Sequence, residues 1–264
     1  MNSPTMKKPF CHLLVSALSV IVLQGCAVGP NVNPADPLEP LNRTVFNFND
    51  GVDRAILKPV ATVYRDVTPS PIRTGISNFF GNLSDVVALL NNVLQLKPKE
   101  SAETLMRLSF NTIFGFGGVF DIATEMRLEK HPGDFGQTLG HWGVGTGPYL
   151  VLPLLGSSTV RDSLGAVVDT QADPLFHYKD VPARNSLTVL DVVDTRSGFL
   201  GAGELLDQAS LDKYSFTRDI YLQRRRGLIN PDKAEKEERF DLPEGATPST
   251  TPSAPPAGAA KDPK

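Results

Sequence analysis

The sequence predicts an all-α protein, and three observations carry that prediction. Apolar residues recur at three- and four-residue steps through most of the central 205 or so residues. Helix-start signals, such as Asp36-Pro37-Leu38-Glu39, stand at the head of these periodic segments. Alternating Val/Ile/Thr runs bounded by turns are nearly absent. The chain has 264 residues, 41% of them hydrophobic and 21% charged, which is enough to bury a core and rules out wholesale disorder. Gly 22 and Pro 22 predict many interruptions.

Residues 1–25 read as a signal peptide: Lys7 and Lys8 supply the positive start, and Leu13 to Leu23 is an apolar run too short to span a bilayer as a helix. The run ends Leu23-Gln24-Gly25-Cys26, which resembles a bacterial lipobox. Cys26 is then the lipidated first residue, carrying a diacylglyceryl thioether and an N-acyl group. Cys11 leaves with the signal, so the mature chain keeps no free thiol and no disulfide. Ala27, in place of an Asp, directs the lipoprotein to the outer membrane. Losing two lysines and no acid takes the formal charge from −3 to −5. That acidity, with no basic stripe, argues against a nucleic-acid binder.

Residues 26–35 form the lipidated linker and 36–240 the folded domain. Residues 241–264, rich in Pro, Thr and Ser and free of aromatics, form a disordered tail. Within the domain, Asp36 as N-cap and Pro37 at the first position open a helix to about Leu57, where Lys58-Pro59 kinks or restarts it. Ser77 to Leu96 is amphipathic, with Phe79, Phe80, Leu83, Val86, Val87, Leu90 and Leu94 on one face. Asn78, Asn82, Asp85 and Asn92 lie opposite. Further helices are expected at 100–113, 118–128, 158–168, 184–208 and 211–226.

From Phe135 to Val160, 26 consecutive residues carry no Asp, Glu, Lys or Arg. Six glycines and two prolines forbid a continuous helix, and irregular backbone at membrane depth persists only where protein or a water-filled cavity satisfies it. A glycine-rich hairpin dipping into lipid or lining a pore fits; so does a loop buried in an ordinary core. Gly143, Gly145, Gly147, Pro148 and Tyr149 are its candidate lipid-contact residues, with Asn78 and Asn82 on the amphipathic helix. Arg43, Arg54 and Arg73 are candidate headgroup contacts, because long basic stems can lie along apolar surface while their heads reach phosphate.

Enzyme chemistry finds little support. Gly143-x-Gly145-x-Gly147 and Gly115-x-Gly117-Gly118 lack the strand and helix that flank a phosphate-cradling loop. The mature chain keeps His131, His141 and His177 with no HExxH pair, which argues against zinc. Ser157 and Ser158 sit in no nucleophile elbow and are expected to cap the helix entered at Thr159. Arg224-Arg225-Arg226 reads as a basic helix end meeting the dipole. No cofactor is expected.

Several blocks resemble one family: Asp36-Pro-Leu-Glu-Pro-Leu-Asn-Arg-Thr-Val-Phe-Asn-Phe-Asn49, Ser77-Asn-Phe-Phe-Gly-Asn-Leu83, Asn91-Asn-Val-Leu-Gln95, Asn111 to Ala123, and Asp134-Phe-Gly-Gln-Thr-Leu-Gly-His-Trp-Gly-Val-Gly-Thr-Gly-Pro-Tyr149, followed by Leu152-Pro153 and Arg161-Asp162. In this order, behind a lipobox, they are similar to the VacJ/MlaA outer-membrane lipoproteins. Leu41, Leu96 and Ser157 depart from the family's usual Phe, Gly and Pro.

The resemblance implies a single ring-like helical domain embedded in the inner leaflet of the outer membrane, with a central amphipathic channel for phospholipid. It implies trimeric porins and a soluble periplasmic lipid carrier as partners, and retrograde removal of outer-leaflet phospholipid that preserves lipid asymmetry. It implies no catalytic residue. The alternative is an envelope scaffold lipoprotein that binds porins without moving lipid.

Overall fold

The computed structural model describes residues 36–229, so the signal peptide, Cys26, the linker and the tail lie outside the described residues. Ten α-helices, one π-helical turn and one two-stranded hairpin make up the described part: α1 (Glu39–Val52), the π turn (Asp53–Leu57), α2 (Lys58–Val67), α3 (Ser70–Leu94), α4 (Pro98–Ile113), α5 (Ile122–Glu125), α6 (Phe135–His141), β1 (Tyr149–Leu152), β2 (Gly156–Thr159), α7 (Val160–Ala172), α8 (Val181–Gly198), α9 (Leu200–Ala209) and α10 (Lys213–Ile229). The protein is therefore mostly helical rather than all-α, and the glycine-rich hairpin expected within 135–160 is the antiparallel pair β1–β2, in register Tyr149 opposite Thr159 to Leu152 opposite Gly156.

Asp36 is not the N-cap of α1; Leu38 stands at the cap, with no side-chain cap bond. The Asp36 carboxylate is instead buried, accepting from Asn42 Nδ2 (2.9 Å), from the Tyr214 hydroxyl and from Arg218 (3.5 Å). At Lys58-Pro59 the helix restarts as α2. A proline ring clashes with the carbonyl four residues back and donates no bond, and the wider π turn at Asp53–Leu57 absorbs both defects, so α1 runs on into α2. The expected helix at 118–128 shrinks to the four residues of α5 because Phe116, Gly117 and Gly118 all take positive φ. The expected 184–208 helix breaks at Phe199 into α8 and α9, and Thr159, not Ser157 or Ser158, caps α7 by accepting from Asp162 N at 3.1 Å.

α3 begins seven residues before the expected start and ends in a Schellman turn, with Leu96 N bonded to Val93 O (3.0 Å) and Lys97 N to Asn92 O (3.1 Å). Leu96 sits in that turn at φ +55°, a conformation that favours glycine.

The periodicity of α3 holds, but its orientation is inverted relative to a soluble protein. Asn82, Asp85, Asn91, Asn92 and the following Gln95 are buried, together with Phe80 and Ala88, while Leu90, Val93 and Leu94 toward the end of the helix are exposed. Asn91 donates to Asp169 (2.9 Å) and accepts from Thr138 Oγ1 (2.8 Å), Gln95 donates to the same hydroxyl (3.1 Å), and Asn92 donates to the His131 carbonyl (3.2 Å). The same inversion runs through the molecule. Among the described residues, 19 polar or charged side chains are buried against nine apolar ones, and 37 large apolar side chains are exposed. No described helix is long and apolar enough to cross a membrane.

The apolar core that exists is small. Tyr149 and Val151 of β1 meet Tyr214 of α10, with Val45, Phe46, Tyr221 and Leu222 packed around them. Edge-on ring pairs, Phe46–Tyr214 at 5.6 Å and Tyr149–Tyr214 at 6.2 Å, join α1, β1 and α10.

Candidate functional site

The charge-free segment folds as a short helix, a glycine turn and the hairpin. Asp134 opens α6 by accepting from Gln137 N at 2.8 Å. Gly136 of α6 then lies so close to Gly165 of α7 that a Cβ on Gly165 would stand 2.4 Å from Gly136 N. This contact sets α6 against α7 and leaves residues 142–148 to cross toward β1.

α1 holds the hairpin by a ladder of side-chain amides. Asn42 donates to Tyr149 O and accepts from Val151 N, both at 2.9 Å. Seven residues on, Asn49 donates to Leu152 O (2.9 Å) and accepts from Leu154 N (2.8 Å). The spacing works because seven helical residues rise about 10.5 Å and three strand residues about 10 Å. Asn42 thus pairs with the outer edge of β1 as a further strand would, and Asn49 holds the end of β1 and the turn that follows it.

Beneath the glycine turn, α10 sends Arg225 inward. Its guanidinium bonds Asp134 at 2.5 and 2.8 Å and Asp162 at 2.8 Å, while Arg161 bonds Asp162 at 3.0 Å and the Val144 carbonyl at 3.4 Å. Tyr221 donates to the second Asp162 oxygen at 2.8 Å. Burial by itself would raise both carboxyl pKa values, but Arg225 outweighs it and holds Asp134 and Asp162 below the ordinary range. Two arginines and two aspartates balance in charge, giving a rigid polar floor.

Above this floor lies a cavity of about 630 Å³, bounded by Gly143, Gly145, Gly147, Arg161, Arg225 and Ile229 among others. Gly143 and Gly147 need glycine, with φ +87° and +69°. Gly145 does not: a Cβ there meets nothing within 4 Å. A second, apolar cavity of about 920 Å³ follows the first half of α3, where Ile72, Ile76, Phe79, Phe120 and Leu190 surround it. One cavity thus offers polar and backbone groups, the other hydrocarbon.

A family model described as MlaA lipoprotein matches residues 34–228. The chain belongs to the MlaA lipoprotein family. Relatives called intermembrane phospholipid transport system lipoprotein MlaA include those of Shigella flexneri and Escherichia coli K12, each 39% identical over 86% of this chain and 92% of the relative. That of Haemophilus influenzae is 35% identical over 88% and 95%. A solved structure presented as a structural basis for maintenance of bacterial outer membrane lipid asymmetry is 39% identical, with a TM-score of 0.66 over 74% of this chain and 99% of its own.

Of the residues that the sequence singles out in this MlaA-family chain, Gly143, Gly145 and Gly147 come together at the polar cavity, and Asn78 borders the apolar one while donating to Val119 O at 3.2 Å. Asn82 is buried, bonding Thr112 Oγ1 (3.0 Å) and Gly117 O (3.3 Å), so it fastens the turn after α4. Pro148 is exposed, and its carbonyl accepts from Val160 N at 3.1 Å. The Tyr149 side chain lies in the core, its hydroxyl 2.8 Å from Ser157 Oγ.

Arg43 is held by Glu39 and, bidentately, by Asp212, with its guanidinium 4.4 Å from the centre of the Tyr214 ring. Arg54 pairs with Asp50. Arg73 is half-buried, its Nε without a hydrogen bond.

Sequence reasoning missed the Arg225–Asp134–Asp162 floor. Arg225 is hidden in a run of three arginines that reads as a helix end, and only the fold shows that the middle one turns inward.

Proposed function

We propose that this lipoprotein moves glycerophospholipid between the bacterial membranes and so maintains outer-membrane lipid asymmetry. It is a transport lipoprotein and not an enzyme. The observation that carries the reading is the inverted burial. A polar, hydrogen-bonded interior inside an apolar exterior suits a protein whose solvent is lipid, since lipid tails favour an apolar surface and buried amides must then pair with one another.

In the finer reading, Cys26 carries the anchor and the helical domain forms a ring lying in the inner leaflet on the periplasmic side. Phospholipid withdrawn from the outer leaflet passes through it to a soluble periplasmic carrier, with trimeric porins alongside. The glycine-lined cavity suits the headgroup: Gly143, Gly145 and Gly147 bring backbone close without side chains, and the paired arginines beneath supply a polar surface without a free charge to trap phosphate. The apolar cavity along α3 suits acyl chains.

The test is mass spectrometry of lipids that co-purify with the protein in mild detergent, together with surface-exposed phospholipid in cells that carry a Gly145→Leu variant. That side chain meets open space, so the fold tolerates it and the cavity narrows. Retained porin association with lost lipid clearance supports transport. Unchanged clearance, with no lipid on the purified protein, moves the porin-bound scaffold ahead.

A further inference from the structure

Away from the glycine-lined cavity, the fold assembles a donor set that sequence spacing does not reveal. Glu103 lies partway along α4, and Glu129 and His131 lie on the segment leading to α6. One ligating atom from each, two carboxylate oxygens and an imidazole nitrogen, lie within 4.8 Å of one another. Glu129 and His131, on either side of Lys130, both reach Glu103 of α4. Lys130 between them turns to the Gly81 carbonyl (3.2 Å) and the Asp85 carboxylate (3.4 Å).

The backbone carrying these donors is fixed by buried groups. Arg107, one turn beyond Glu103, donates to the Leu128 carbonyl at 2.6 Å, and Asn92 of α3 donates to the His131 carbonyl at 3.2 Å. Glu129 and His131 are thus held in place before any ligand arrives. His131 Nε2 meets Glu103 directly, and the Lys99 amine, 3.9 Å from Glu103, is on a stem exposed enough to swing away.

Two carboxylate oxygens and an imidazole nitrogen this close can share a single cation. One imidazole with two carboxylates suits a first-row divalent cation, and among those commonly available zinc takes such mixed nitrogen and oxygen ligands at about 2.0–2.2 Å. Tetrahedral ligands at that distance stand about 3.4 Å apart, so small side-chain rotations close the set. We propose that Glu103, Glu129 and His131 form a Zn²⁺ site, completed by water, which clips the segment entering α6 onto α4. By tying that segment to α4, the ion steadies Asp134 three residues further on.

The experiment uses chelator-stripped lipoprotein in detergent, purified without a histidine tag, dialysed against Zn²⁺ and analysed for bound metal and unfolding temperature. Wild type and the His141→Ala and His177→Ala controls are expected to hold about one equivalent and to unfold at a higher temperature with Zn²⁺. His131→Ala and Glu129→Gln are expected to lose about tenfold or more in affinity and the thermal gain. Glu129 is exposed, so Glu129→Gln decides the matter even if His131→Ala fails to fold. Absent Zn²⁺ retention by wild type, or equal retention by both site variants, overturns the proposal, as does displacement of bound Zn²⁺ by equimolar Mg²⁺.

Discussion

If Asn42 stands in for a neighbouring strand, removing its amide must cost far more than a surface asparagine does. In Asn42→Ala the bonds to Tyr149 O, Val151 N and Asp36 Oδ1 are lost, all at 2.9 Å and all buried. Each such bond contributes about 1 kcal/mol net, and a buried donor left unpaired costs about 1–3 kcal/mol, so the expected loss is about 3–5 kcal/mol. For a domain of this size 1 kcal/mol shifts the midpoint by about 2–4 °C, so Asn42→Ala should unfold about 6–20 °C lower. The assay is thermal unfolding followed by far-ultraviolet circular dichroism in detergent micelles. Asn47→Ala is the control, because Asn47 is exposed on the same helix and should change stability by less than about 0.5 kcal/mol. Equal midpoints for the two variants would refute the surrogate-strand account.

Leu96→Gly relieves a left-handed leucine in the Schellman turn and should stabilise the protein by about 1 kcal/mol in denaturant titration. Gly165→Ala drives a Cβ into the Gly136 backbone, which cannot swing aside, and should destabilise by about 1–3 kcal/mol in the same titration. Asp134 and Asp162 bind fewer protons folded than unfolded, so their contribution is complete above the ordinary carboxylate pKa near 3.8 and is lost as pH falls below it. Asp121, held down to about 2 by its bonds to Thr124 and Asn111 and by Arg107 against the opposing effect of burial, adds to the same acid limb between about pH 4 and 2. Burial pushes Asp85 and Asp169 up, which works in the opposite sense above pH 4. Arg225→Gln should therefore lower the midpoint at pH 7 and flatten the acid limb of a midpoint-against-pH series; a parallel limb would refute the assignment.

What the sequence reveals is periodicity, and what it hides is direction. The three- and four-residue steps of Phe79, Phe80, Leu83, Val86, Val87 and Leu90 locate α3, but a stripe on a helix looks the same whether its apolar side meets protein or lipid. Only the burial of Asn82, Asp85, Asn91 and Asn92 shows which side turns inward. The glycine-rich hairpin within 135–160 is legible, but its β pairing is not, because Tyr149 to Leu152 is just four residues long and its partners on the open edge are amides more than 100 positions earlier. The glycines of the polar cavity are visible as a spacing. Its floor is not, since Arg225 and Asp134 are 91 residues apart.

The buried asparagines explain why the inverted fold holds a single shape. Lipid tails are as apolar as the leucines that face them, so burying apolar area does little to choose one packing of these helices over another. Hydrogen-bonded pairs between distant segments do choose, because an alternative packing leaves them unpaired in a medium of low dielectric constant. Asn91 and Gln95 share the Thr138 hydroxyl, which ties α3 to α6; Asn42 and Asn49 tie α1 to β1; Arg225 ties α10 to α6 and α7. In such a frame the polar cavity keeps its form. The same logic requires that the folded protein not persist in plain buffer, where side chains such as Phe116 and Leu155, each 80% exposed, would drive association. Detergent removal should therefore aggregate it while secondary structure is retained.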